Sequence, residues 1–190
     1  MRTAVFSVAF SAVASAGGAL VEGNESSPAR VVVYEDLQCG DCHNFRKLMD
    51  EHLLPKYASK VAFEHRDFPL PKHNWARKAA VAARFFASVK PEVGIAFRRE
   101  TMASIKQLTL ETFEKHVVTF AGRNGVDPAR AVAALTDAGL AAEVDRDVAE
   151  GVARGIARTP SVFVNGEPFI ERFPLESILS SLDKATRDLK

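Results

Sequence analysis

The β-branched run Val31-Val32-Val33-Tyr34 leads almost directly into Cys39-Gly40-Asp41-Cys42-His43. A strand with no polar alternation is one covered on both faces, so it belongs in the middle of a sheet. The string at its end opens a helix, because Phe45, Leu48, Met49, Leu53 and Leu54 recur at helical spacing after it. The string itself admits three chemistries: C-x-x-C-H attaches a c-type haem, and C-x-x-C serves either as a redox dithiol or as half of a zinc site.

The rest of the chain weighs these against one another. Haem attachment also needs a distal ligand, and nothing marks Met102 or the other histidines for it. Zinc needs three or four ligands, and no second C-x-x-C or H-x-x-x-H completes the set. His52, His65, His73 and His116 are scattered and are expected at the surface or in capping positions. The redox reading needs no further ligand. Cys39 at a helix N-terminus meets unpaired N–H groups and the positive end of the dipole, which favour a thiolate. Cys42, three residues on, lies on the same helix face and is placed to resolve a mixed disulfide. The chain has two cysteines, both in this motif, as expected where a stray thiol would interfere and the compartment is oxidising. The expected cofactor is therefore none beyond a redox-active Cys39–Cys42 disulfide.

Composition narrows the class further. The chain has 190 residues, 47% hydrophobic and 26% charged, with a net charge of +1. Lys and Arg are scattered, so no basic stripe for nucleic acid is expected. Residues 1–16 read as a signal peptide: Arg2, an apolar stretch, then Ala14-Ser15-Ala16 as a cleavage site. The apolar stretch is too short to span a bilayer, so the mature protein is expected to be exported, for instance to a periplasm, and monomeric.

After the first helix, "VAFEHRDF" reads as a second strand, completing a βαβ unit over residues 17–72. Residues 73–152 read as helical. Trp75, Ala79, Ala82, Ala83 and Phe86 form one apolar face; Leu110, Phe113, Val117 and Phe120 form another behind the N-cap Thr109. Asp127-Pro128 starts a further helix, and Leu140, Val144, Val148 and Val152 continue the pattern. Residues 153–190 return to strand: "SVFV" and "EPFI" flank Asn165-Gly166, a hairpin signal, with Pro168 marking an edge strand and a last helix starting near Pro174. The plan is βαβ, helical insertion, ββα.

On these motifs the sequence resembles the DsbA-like branch of the thioredoxin-fold proteins. "YEDLQCGDC" resembles that family's strand and active-site segment, "FPLPKHNWARKAAVAARFF" the start of its helical insertion, and "GIARTPSVFVNG" its cis-proline loop and hairpin. The resemblance implies an α/β thioredoxin fold with an inserted helical subdomain. It also implies that Cys39 is the nucleophile and Cys42 the resolving cysteine. Pro160 is then the cis-proline and Thr159 its predecessor, in a loop offering main-chain groups to an extended peptide. Gly40, Asp41 and His43 are then the residues that tune the redox centre. The implied partners are reduced or disulfide-bonded polypeptides and a membrane redox partner.

Several positions depart from the pattern. Gly40 stands where proline is common, Arg158 where glycine is frequent, and Val33 where a buried acid often serves the inner cysteine. Glu35 or Asp36 either replaces that acid or forms a solvated strand end. Asp41 is expected to oppose a thiolate at Cys39 and raise its pKa, with His43 offsetting this when protonated. The expected activity is disulfide formation in reduced polypeptides. Disulfide reduction remains open, as does a redox-inactive peptide- or metal-binding module. A dimeric isomerase is not expected, because residues 17–29 are all that precede the first strand.

Overall fold

The computed structural model describes residues 20–189, so the signal-peptide expectation for residues 1–16 lies outside the described residues. Five strands form one sheet: β1 Leu20–Gly23, β2 Arg30–Glu35, β3 Ala62–Asp67, β4 Ser161–Val164 and β5 Glu167–Ile170, in the order β1-β3-β2-β4-β5. β2 is central, parallel to β3 and antiparallel to β4. Val31, Val33 and Tyr34 are fully buried, which is why the run needs no polar alternation. β1 corrects the expectation that residues 17–29 precede the first strand. It is a short edge strand antiparallel to β3, and its inward residue is Glu22, so no apolar alternation announces it.

Between β2 and β3 runs one helical rod: α1 Gly40–Leu48, a π-helical turn Met49–Leu53 and α2 Leu54–Tyr57. Pro55 has no N–H to close the preceding turn, and the helix widens just ahead of it. Phe45, Met49, Leu53 and Tyr57 face the sheet and pack with Val31, Val33 and Ile178.

Five helices stand between β3 and β4: α3 Ala76–Val89, α4 Pro91–Ala103, α5 Leu110–Arg123, α6 Pro128–Ala134 and α7 Ala138–Ala153. Their starts follow capping chemistry: Thr109 and Thr112 form a reciprocal box, Asp127 accepts from Ala129 N at 2.9 Å, and Asp137 accepts from Leu140 N at 2.9 Å. The core is aromatic, with Trp75 stacked on Phe113 at 5.5 Å between ring centres and Phe86 against Phe97 at 4.7 Å. Two residues assigned to apolar faces are exposed instead, Leu110 at 41% and Val152 at 61%. Leu110 is the first helical residue, beyond the packed turn. At the end of α7 the inward position belongs to Gly151, where a Cβ would lie 2.6 Å from the Phe68 ring.

In the hairpin after β4, Asn165 and Gly166 take φ values of 45° and 92°, as the two-residue turn requires. β5, carrying Pro168, is the other sheet edge. The last helix, α8 Leu175–Thr186, buries Ile178 and Leu182 against the sheet.

Candidate active site

Cys39 is the N-cap of α1, extended at φ −88° and ψ 125°, and its carbonyl accepts from His43 N at 3.0 Å. The loop leading to it is pinned by Asp36. The Asp36 carbonyl accepts from Cys39 N at 3.0 Å, and its carboxylate accepts from Gln38 N, Leu70 N and His73 Nδ1, each at 2.7 Å. Gln38 in turn holds the start of the helical layer, accepting from Trp75 N at 2.9 Å. Both cysteines are free thiols and buried, Cys39 at 8% and Cys42 at 0% exposure. They pack with Leu37, Trp75, Phe97 and Met102, so the site lies between the sheet end and the helical layer.

Across from α1 lies the Thr159–Pro160 turn, whose peptide bond is cis. The Cys39 thiol donates to the Thr159 carbonyl at 3.4 Å. The Thr159 hydroxyl is buried and has no partner among the described residues. The 171–173 segment covers this turn: Glu171 N donates to Pro160 O at 2.8 Å, and Arg158 pairs with the Glu171 carboxylate at 2.7 Å. Between α1 and this segment, a cleft of about 250 Å³ is lined by Asp41, Asn44, Phe45 and Leu48 and by Glu171, Arg172 and Phe173.

The two sulfurs sit in different fields. Cys39 is lowered to about 6. The hydrogen bond from Cys42 lowers it most, burial works against this, and the Thr159 hydroxyl and the backbone N–H groups of Cys42 and Asp41 add to the lowering. Cys42 is pushed well above the usual thiol range, first by burial, then by its bond to Cys39 and the Cys39 and Glu35 charges. Asp36 N, donating to Cys42 Sγ at 3.4 Å, opposes this only in part. The upward push expected from Asp41 is not among the main influences on Cys39. The Asp41 carboxylate meets Arg172 Nε at 3.4 Å, and what Asp41 brings to Cys39 is its backbone N–H. His43 is half-buried in the first turn.

Glu35 and Asp36 are not a solvated strand end: they are 2% and 1% exposed. Glu35 Oε1 takes His65 Nδ1 at 2.7 Å and Arg98 Nε at 2.9 Å. The cluster continues through Arg98 to Asp67 at 2.8 Å, and through His65 Nε2 to Glu22 at 2.9 Å, with Arg46 closing on Glu22. Burial alone would raise Glu35, but His65 and Arg98 hold it at about 2. His65, expected at the surface, is 2% exposed and tolerates burial because each ring nitrogen faces a carboxylate. His116 is also mostly buried, bonded to Thr101 Oγ1 at 3.0 Å. Among the described residues no group of three or more His, Cys, Asp or Glu side chains is arranged to hold a metal ion.

A central strand feeding a helix that opens on a close cysteine pair, with a facing X-Pro turn and a helical layer inserted after the second main strand, defines a thioredoxin fold with a helical insertion. The chain belongs to the thioredoxin family: the family model of that description matches residues 15–184. The helical insertion gives the fold the arrangement seen in DsbA-like proteins. The structure is similar to α-DsbA1 of Wolbachia pipientis, with 18% identity, 90% of this chain and 94% of that one covered, and a TM-score of 0.76. It is also similar to oxidised BdbD of Bacillus subtilis, with 19% identity, 89% and 93% covered, and a TM-score of 0.75. At these identities the likeness is one of fold. Among curated sequences, the Na(+)/H(+) antiporter NhaA of Herminiimonas arsenicoxydans is 26% identical over 168 residues, which are 88% of this chain. The chain spans about a quarter of that relative, 25% of its length. No helix among the described residues is long and apolar enough to cross a membrane.

Proposed function

We propose that this chain is an exported thiol–disulfide oxidoreductase that introduces disulfides into reduced, extended polypeptides. The observation that carries the reading is the Cys39–Cys42 pair at the start of α1, with Cys39 facing the cis Thr159–Pro160 turn at 3.4 Å; the outer thiol is lowered and the inner one pushed up. A substrate thiolate attacks Cys39 Sγ of the Cys39–Cys42 disulfide, and Cys42 leaves and takes a proton. The substrate's second thiolate then attacks the substrate sulfur of the mixed disulfide, and Cys39 leaves as a thiolate. The substrate loses two electrons and the protein dithiol gains them. A thiol as acidic as Cys39 is a good leaving group, which favours this direction. Backbone groups of the Thr159–Pro160 turn hold the peptide, and the cleft lined by Asp41, Leu48 and Phe173 takes its flanking side chains. Residues 1–16 direct export, and a membrane redox partner regenerates the disulfide in a monomeric enzyme.

The test is equilibration with glutathione. A potential near the oxidising end of the superfamily, about −120 mV, agrees with this reading. A value near about −270 mV overturns the direction in favour of a reductase.

A further inference from the structure

The chain leaves β5 through a tight turn. Glu171, a non-glycine residue, takes a φ of 54°, and Arg172 N donates back to Ile170 O at 2.7 Å. A three-residue turn with a positive central φ is rare and strained, and it persists only where its surroundings hold it. Three contacts do so here. Glu171 N donates to Pro160 O at 2.8 Å, Arg158 pairs with the Glu171 carboxylate at 2.7 Å, and Arg172 Nε donates to the Asp41 carboxylate at 3.4 Å. The turn thereby delivers two side chains to the cleft against α1. Phe173 lies against Phe45, with 5.8 Å between ring centres, and Arg172 meets Asp41, two residues after Cys39. Resting on the oxidoreductase reading, we infer that Arg172 sets substrate specificity by binding a carboxylate of the polypeptide next to the apolar side chain that enters the cleft, so that thiols in apolar, acidic segments are favoured.

The way Arg172 is held is the reason to expect an anion. Its guanidinium is engaged through Nε alone, and neither terminal nitrogen has a hydrogen-bond partner among the described residues. Such a fork matches the two oxygens of a carboxylate. Asp41 orients the group and leaves its outer nitrogens free. The cleft also carries anions, so exposure has to decide which charge an arriving chain meets. The Arg172 side chain is 85% exposed and that of Asp41 30%. Glu171, the remaining charged side chain of the lining, is already paired with Arg158. A basic residue in the substrate therefore meets a guanidinium first, and finds both carboxylates taken. Phe45, Leu48 and Phe173 supply the apolar part of the lining, which an aromatic or aliphatic side chain fills. An exposed ion pair contributes little, so the discrimination it gives is about fivefold rather than a hundredfold.

The experiment follows oxidation of reduced peptides by the full chain in its Cys39–Cys42 disulfide form, by rapid mixing, acid quenching and mass spectrometry. Each peptide has two cysteines, a phenylalanine beside the first, and Glu, Gln or Lys next to that phenylalanine. Peptide thiolate attacks Cys39 Sγ, the peptide disulfide closes, and two electrons pass to Cys39 and Cys42. Every rate is divided by that of the same peptide with hydroxyethyl disulfide, which removes the effect of the added charge on the peptide's own thiols. The Glu peptide is expected to lead the Gln peptide by about fivefold, with the Lys peptide slowest. Arg172→Gln is expected to bring the three rates together, and Arg172→Glu to put Lys first. In the wild-type protein about 1 M salt, with a screening length of roughly 3 Å, is expected to level the order as well, which tests the inference should a variant fold poorly. A Lys peptide equal to or ahead of the Glu peptide, or an order that survives in Arg172→Gln, overturns the inference. If no peptide is oxidised, the oxidoreductase reading has failed separately. The charge order is then read from binding of the same peptides with serine in place of cysteine, and equal binding of all three overturns the inference by itself.

Discussion

Cys39 and Cys42 are the same chemical group three residues apart, and position alone separates them. Cys39 borrows N–H groups from the helix start and faces Thr159; Cys42 is sealed one turn inside. Alkylation of the reduced protein is therefore expected to modify Cys39 first, with a rate that reaches half its maximum near pH 6. A midpoint near that of an ordinary thiol, about 8.5, or faster loss of Cys42, contradicts the assignment. Thr159→Val removes a buried hydroxyl that has a thiolate as its available partner. Its expected effect is to raise the Cys39 midpoint by about half to one unit, read as thiolate absorbance against pH. The positions of Cys39 at the helix start and Cys42 one turn inside were legible from the helix phase after a buried strand. The pairing of Asp41 was not, because its partner Arg172 is 131 residues away and a first-turn carboxylate looks the same in sequence whichever way it turns.

Helix packing fixes how the site is walled. α3 and α4 cross closely at Gly94, where an added Cβ would lie 2.6 Å from Ala87 Cβ and 2.7 Å from Ala87 Cα. Backbone cannot yield there as a flexible side-chain end does. Gly94→Ala is expected to cost about 1–3 kcal/mol in urea unfolding. Because α4 also brings Phe97 to the cysteine cluster and Arg98 to Glu35, the same substitution is expected to disturb Cys39 reactivity; an unchanged stability would show that the crossing relaxes freely. The strands β2 to β5 and the caps at Thr109 and Asp127 were readable from β-branched runs, Asn165-Gly166 and capping residues. β1 was not, since a four-residue edge strand with an inward Glu22 carries no periodicity. Nor was the burial of Glu35 and His65, because charge in a strand reads as exposure until its partners, spread from Glu22 to Arg98, are brought together by the fold.

The buried cluster also ties stability to pH. Burial would raise Glu22 and Glu35, but His65 with Arg46 or Arg98 holds each at about 2, below the usual 4.5. A depressed folded value means that their contribution is complete above about pH 4.5 and is lost as pH falls toward 2. For His65, burial lowers and the two carboxylates raise, and the balance is upward from 6.5. A raised folded value means that its contribution is complete below pH 6.5 and is lost as pH rises through the folded value. Asp36, raised by burial, shifts in the opposite sense to the two glutamates. The thermal midpoint is expected to be highest between these limits and to fall on both sides; a midpoint still rising below pH 4 would contradict the role of Glu22 and Glu35. Cys39 and the Thr159 carbonyl that it meets are 120 residues apart, on either side of the whole helical layer. Closing so long a loop late is the slow part of assembling such a topology. Until β4 docks, Cys39 lacks the contribution of Thr159 and keeps only what α1 supplies, the Cys42 hydrogen bond and the N–H groups of Cys42 and Asp41. The full acidity of the sulfur is thus acquired only at the end of folding, and a half-folded chain carries a weaker nucleophile to attack its neighbours. In refolding from denaturant, the alkylation rate of Cys39 at pH 7 is expected to reach its final value only after the helical signal is complete.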